Sequence, residues 1–246
     1  MGDGPHRVTW LGHSTVLVEL DGVRVLTDPV LRRRVVHLRR EHVVDPEPLA
    51  DVDAVVVSHV HFDHLDVASL RQLGRDVPLF VPRGAGRMLR RRAFGRVVEL
   101  EPGATVELGS VLLRAVHAEH DASRGPLGVR VPSLGYVVEG THAVYFAGDT
   151  DLFESMHGFG ELDAALLPIS GWGPRVGPGH LDPARAAEAL RRLQPRVAVP
   201  IHWGTFTPML QGRSSARPAE HFVEHAARLA PEVDVKVLPV GGTLEL

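Results

Sequence analysis

The sequence predicts an α/β fold, α+β under stricter schemes, built as one domain over residues 1–246. Short apolar runs alternate with amphipathic helical segments along the chain, and four of those runs end on histidine or aspartate. A hydrophobic content of 44% over 246 residues is enough to bury a sizeable core. The chain shows no short-period repeat.

Residues 7–27 read as β-rich, and residues 53–58 as a strand carrying the run Ala54-Val55-Val56-Val57. A helix follows near 66–73, beginning at Asp66. Strands at 78–81 and 97–116 surround an arginine-rich helix near 84–93, and 134–147 reads as a hairpin turning near Glu139-Gly140. In the second half, 163–168, 196–201 and 234–238 read as strands, and 182–193 and 217–229 as helices. The helix at 182–193 has a good start signal, because Asp182 can cap the free amides while Pro183 fits the first helical position. Its apolar face includes Ala186, Ala189, Leu190 and Leu193.

The chemistry concentrates in Ser58-His59-Val60-His61-Phe62-Asp63-His64, directly after the 53–58 strand. Alternate residues leaving a strand point the same way, so His59 and His61 can share one ion while Asp63 and His64 face a second. A single histidine here would read as part of a polar turn. Three histidines and an aspartate within six residues are costly to leave unpaired unless an ion or solvent satisfies them. Residues 111–116 run into His117-Ala118-Glu119-His120, 143–147 into Gly148-Asp149-Thr150, and 196–201 into His202-Trp203-Gly204. Three or four protein ligands suffice for one ion. The seven candidates His59, His61, Asp63, His64, His120, Asp149 and His202 therefore call for two, with His117 the competitor of His120.

These residues resemble the metallo-β-lactamase superfamily, whose HxHxDH signature is matched by His59, His61, Asp63 and His64. Trp10-Leu11-Gly12-His13-Ser14-Thr15, Leu26-Thr27-Asp28-Pro29, Ala147-Gly148-Asp149-Thr150 and Pro200-Ile201-His202-Trp203-Gly204-Thr205-Phe206 resemble one branch of it. That branch contains N-acyl-phosphatidylethanolamine phospholipase D and L-ascorbate-6-phosphate lactonase. The resemblance implies a four-layer αββα sandwich with metals along one edge. It also implies that His59, His61 and His120 hold the first ion, that Asp63, His64 and His202 hold the second, and that Asp149 bridges them. His120 is preferred over His117 because Arg124 follows it at the spacing usual in the branch. Two departures lie where substrate is recognised: Asp121 stands after His120 in place of tryptophan, and Leu31-Arg32-Arg33-Arg34 follows the Asp-Pro turn.

Two close divalent ions, zinc first with manganese or iron as alternatives, would bring the pKa of a water between them toward neutrality. The expected function is thus a metal-dependent hydrolase using a metal-bridging hydroxide to cleave an ester-type bond. Asp63 would orient that hydroxide and Asp149 would set the ion spacing, the two catalytic carboxylates. The two relatives pull toward a phosphodiester and a lactone. Arg124, Arg130 and the arginines after Asp28-Pro29 favour a small anionic substrate. His13, His180 and Trp172 are further substrate-side candidates, each weighed against local bonding or packing. Trp203 and Phe206 are read as an apolar wall or as core. From another class, the domain could be a non-catalytic metal-binding or sensing protein of the same fold.

Net charge is −3, and one lysine stands beside 26 arginines spread along the chain, so no global field favours nucleic acid. The absence of cysteine excludes disulfides, thiolate ligands and cysteine nucleophiles. No apolar run approaches the roughly 18 to 20 residues that span a bilayer, and no signal-type core follows Met1. A cytoplasmic enzyme of a small molecule is expected.

Overall fold

The computed structural model describes residues 4–43, 49–124, 128, 130–170, 177–209 and 215–246. Two seven-stranded sheets pack face to face. The first contains β1 (Arg7–Trp10), β2 (Val16–Leu20), β3 (Val23–Thr27), β6 (Ala54–Val56), β7 (Leu79–Pro82), β8 (Val97–Leu100) and β17 (Thr243–Glu245), in the order β17-β1-β2-β3-β6-β7-β8. The second contains β9 (Thr105–Leu108), β10 (Val111–Ser123), β11 (Arg130–Glu139), β12 (Ala143–Phe146), β13 (Ala164–Pro168), β14 (Val197–Ile201) and β16 (Asp234–Val235), in the order β16-β14-β13-β12-β11-β10-β9. A small third sheet joins β4 (Arg34–Val35), β5 (Leu38–Arg40) and β15 (Phe206–Pro208).

Strand alternation assigns the layers. Val8, Trp10, Val18 and Val56 from the first sheet meet Leu113, Tyr136, Phe146 and Ile201 from the second in the central core. The opposite face of the first sheet, with Leu17, Leu26 and Val55, packs on α1 (Val67–Leu73) and α2 (Gly86–Arg90). The outer face of the second packs on α3 (Pro183–Leu193), α4 (Arg217–Leu229) and a short 3-10 helix, Glu154–Phe159. The result is the αββα sandwich. Strands buried on both faces, such as β6, β13 and β14, read as continuous apolar runs for that reason. Asp66 and Asp182 cap α1 and α3 by accepting from Ser69 N and Arg185 N. Among the described residues no helix is long and apolar enough to cross a membrane.

Three elements differ from the sequence expectation. β10 does not stop at residue 116 but runs to Ser123, past a register shift between Ala118 and Ala122. His117 and His120 therefore lie within a strand; small buried alanines alternate with polar residues there, so the strand continues without an apolar run. α2 spans only Gly86–Arg90, since among its polar residues only Gly86 and Leu89 are buried. The 234–238 strand shortens to β16, which meets β14 only at Val197 and Ala198.

Within each sheet one half is parallel: β3-β6-β7-β8 in the first, β12-β13-β14-β16 in the second. The C-terminal ends of β3, β6, β12 and β14 carry Asp28, the 58–64 loop, Asp149 and His202, and they gather at one edge.

Candidate metal centre

The ligand loop is fixed from both sheets. Val57 N donates to Phe80 O, and the Tyr136 hydroxyl donates to Val57 O at 2.9 Å from the opposite sheet. Leu134 N donates to Ser58 O, and Ser58 N to Asp28 Oδ1 at 2.7 Å. The turns around it use left-handed backbone at His13 (φ 57), Asp28 (φ 32), Gly148 (φ 61) and His202 (φ 60), a conformation that is costly for residues other than glycine. Glycine is required at 148: a Cβ there would stand 2.4 Å from Ser58 Cβ.

One donor group is His59, His61 and His120. His59 Nε2 and His120 Nε2 lie 2.9 and 3.2 Å from His61 Nδ1. Their outer bonds select the tautomers. The Ser58 hydroxyl donates to Asp28 Oδ2, so its oxygen accepts from His59 Nδ1–H at 2.9 Å, and His120 Nδ1–H donates to Gly179 O at 2.7 Å. Two lone pairs thus converge on a third ring nitrogen that has at most one proton to offer. A cation resolves that convergence. Burial pushes all three imidazoles below the ordinary histidine value, His120 to about 4, which keeps them neutral at pH 7.

A second group is His13, Asp63, His64 and His202. His64 Nδ1–H donates to Asp28 Oδ2 at 2.7 Å, directing Nε2 toward Asp149 Oδ2 at 3.2 Å and Asp63 Oδ2 at 3.8 Å. Burial opposes ionisation of His64, but the Asp149 and Asp63 carboxylates outweigh it and hold its pKa well above the usual value. Burial likewise works against both aspartates, and the surrounding imidazoles reverse it, so both sit well below the usual carboxylate range. His202 is lowered by burial, and His13 falls to about 3.

Asp149 faces both groups. Its Oδ2 is 3.9 Å from His59 Nε2 and 3.6 Å from His180 Nε2, and its Oδ1 is 3.4 Å from His202 Nε2. Oδ1 is sealed from solvent and has no hydrogen-bond donor in good geometry among the described residues. An anionic oxygen in that position costs several kcal/mol unless a positive charge compensates it. The donor set, all nitrogen and carboxylate oxygen, fits divalent metal.

All seven expected ligands therefore meet at one edge. His117 stays outside: it is half-exposed and pairs with Glu119 at 3.1 Å. His13 lies beside Asp63, with Nε2 3.3 Å from Oδ2, and its carbonyl accepts from Trp10 Nε1 and His202 N. His180 borders the cavity described below. Arg124, expected at the substrate, donates through Nη1 to Val60 O and Leu65 O at 2.7 and 2.9 Å and lies 4.2 Å over the Phe62 ring. It clasps the two ends of the ligand loop. Arg130 pairs with Asp121, and Arg32 with Asp66. Trp172 lies outside the described residues. Trp203 stacks on Trp10 with centroids 5.4 Å apart, and Phe206 packs with Val30, Val35 and Leu38.

Sequence reasoning missed two kinds of residue. Asp28 and Ser58 orient the candidate ligands; the signal was an Asp-Pro turn closing an apolar strand and a serine preceding the first candidate ligand. The other kind is the wall of a cavity of about 310 Å³ with His61, Asp63 and Asp149 at its floor. Val35, Val36, Leu38 and Phe62 supply its apolar side, with His37 and His180 at its edge.

Comparison with known proteins follows the same lines. Residues 23–203 match a family model described as a beta-lactamase superfamily domain. A UPF0173 metal-dependent hydrolase of Methanopyrus kandleri is 34% identical over 246 residues, 97% of this chain and 99% of its own. The N-acyl-phosphatidylethanolamine-hydrolyzing phospholipase D 1 of Caenorhabditis elegans is 32% identical over 226 residues, covering 80% of this chain and 64% of that protein. Among solved structures, Igni18, a metallo hydrolase of Ignicoccus hospitalis, superposes with a TM-score of 0.74 at 28% identity, covering 98% of this chain and 97% of its own.

Proposed function

Because the chain belongs to the metallo-β-lactamase superfamily and is a metal-dependent hydrolase of that family, we propose that it holds two divalent ions, zinc first, and cleaves an ester-type bond in a small substrate. In this reading residues 1–246 act as a single domain, and the bond is a phosphodiester or a lactone. The observation that carries the reading is the position of Asp149, whose buried carboxylate faces both histidine groups at once. His59, His61 and His120 would hold one ion, Asp63, His64 and His202 the other, with Asp149 between them.

Ions held there supply Lewis-acid charge and bring water toward its ionised form at neutral pH. The protein's own groups do the rest. Asp28 holds the Nδ1 side of His64 directly and that of His59 through Ser58, so both rings turn Nε2 inward. Asp63, held beside His13, is placed to accept a hydrogen bond from the attacking water and orient it. His180 borders the cavity where a substrate would lie. Arg32, Arg124 and Arg130 are each engaged within the protein. Those three arginines are therefore not placed to meet the charge of a phosphodiester, whereas His180, on the cavity, is placed to donate a hydrogen bond to it.

The reading is tested by reconstituting the protein with zinc or manganese and following an aryl phosphodiester beside an aryl ester, with Asp149→Ala as control. Metal-dependent cleavage of either, reduced roughly a thousandfold or more in the variant, is expected. A variant that keeps the wild-type rate and two bound ions would sink the assignment of Asp149.

A further inference from the structure

The hairpin of β4 and β5 joins Val35 to Leu38 through two residues, Val36 and His37. A two-residue turn with positive φ at its first central position favours glycine or asparagine there. Val36 occupies that position at φ 50, a genuine outlier for a β-branched residue. Core packing does not account for it: Val36 is 65% exposed, and Phe62, on the same cavity, is 44% exposed. The side chain held at this cost lines the cavity over His61, Asp63 and Asp149.

The hairpin is also firmly seated. Arg40 donates to Leu11 O at 3.0 Å and to Val30 O at 2.7 Å, while Val35 and Leu38 pack on Val30 and Phe206. Beyond the turn, Met209 N donates to His37 O at 2.9 Å. Arg32 is turned away to Asp66, and Arg124 lies over the Phe62 ring with Nη1 bonded to the loop carbonyls. The exposed apolar surface therefore faces the cavity in a fixed place beside the reacting centre. Contiguous exposed apolar surface of this kind marks a binding position.

We propose that this hairpin selects the substrate: Val36, together with Phe62 and backed by the buried Val35 and Leu38, binds an apolar group next to the bond that is cleaved. The inference rests on the hydrolytic reading of the metal centre and narrows it to esters that carry an aliphatic or aromatic group on one side. Val36 is a positioning and specificity residue; the strained backbone is what aims its side chain at that group.

The test is a series of n-alkylphosphonates, methyl to hexyl, titrated into zinc-loaded protein by calorimetry. Affinity is expected to rise roughly two- to fourfold per methylene over the first carbons. Val36→Asn and Phe62→Ser are each expected to flatten that slope, and Val36→Asn to do so without lowering the melting temperature. No binding, no dependence on chain length, or a slope unchanged in both variants overturns the proposal. Matching 4-nitrophenyl alkylphosphonates report turnover in parallel. A slope in binding without any turnover would reject the hydrolytic reading and leave the apolar subsite standing; turnover with no slope would do the reverse.

Discussion

The ligand loop between His59 and His64 and the β4–β5 hairpin lie on the same cavity, but they are held in different ways. The loop hangs from both sheets, with Tyr136 and Leu134 bonding the Val57 and Ser58 carbonyls that lead into it from one side and Asp28 receiving Ser58 and His64 on the other. The hairpin belongs to a three-stranded sheet of its own and touches the main frame through Arg40 and a four-residue apolar cluster. Ligand nitrogens must be placed to a few tenths of an ångström, which needs rigid strands and bonded partners. Apolar recognition is non-directional and needs no converging bonded partners, so a small appended sheet seated by those contacts suffices for the wall. The same sandwich can keep its reaction while changing its substrate by rebuilding only that hairpin.

The largest effect should come from disturbing the floor. Gly148→Ala brings a Cβ to 2.4 Å from Ser58 and puts an alanine at φ 61, so unfolding by urea should show a loss of about 2 to 4 kcal/mol. Unchanged stability would mean that the β12 turn and the ligand loop are less tightly coupled than their contact implies. Next in size is Asp28→Asn, which touches none of the inward-facing atoms of the candidate ligands yet reaches both groups, His64 directly and His59 through Ser58. Metal affinity read by competition with a chelator should fall by about ten- to a hundredfold. An affinity within twofold of the parent protein would remove Asp28 from this role.

Acid should weaken the floor more gently. Burial holds His13 at about 3 and His120 at about 4, and His59, His61 and His202 are also lowered. Below pH 6.5 the unfolded chain takes up protons on these rings that the folded chain refuses, so metal-free stability falls as pH drops from about 6.5 toward 4. His64, raised by its carboxylates, pulls the other way, but it is one ring against five. Asp63 and Asp149 add to the loss at still lower pH because their folded pKa values are depressed. Urea midpoints of metal-free protein at pH 7.5 and 5 measure the sum, and a higher midpoint at pH 5 would contradict it.

How much of this was legible in the sequence follows the same division. The floor announces itself because its ligands stand at the ends of apolar runs, where period-2 burial gives way to polar residues. His120 was legible by spacing and not by strand position, since β10 continues through it by alternating small alanines with polar residues. Asp28 was visible as a turn but not as a hydrogen-bond acceptor, because its partners lie 30 and 36 residues away. The wall left almost no trace. β4 and β5 are two and three residues long, β15 joins them from far along the chain, and nothing local marks Val36 as left-handed. Arg124 misled for a related reason: spacing put it near the metals, and only the fold could reveal that its guanidinium is bonded to Val60 and Leu65.

The smallest effect is the one that separates the two regions most cleanly. Val36→Gly removes a β-branched residue from φ 50, relieving about 1 to 2 kcal/mol, and returns about 0.5 to 1 kcal/mol as chain entropy. The expected net is between no change and a gain of about 1.5 kcal/mol, with metal retention unchanged, read by urea unfolding and metal analysis. His13, Asp28 and His202 are left-handed as well, and glycine would relieve them too. There the relief cannot be harvested, because each side chain meets a donor, an acceptor or an ion position that glycine leaves empty. A loss of stability in Val36→Gly would place that valine with them, as a residue the fold itself requires, whereas a gain leaves its side chain to be explained by what enters the cavity.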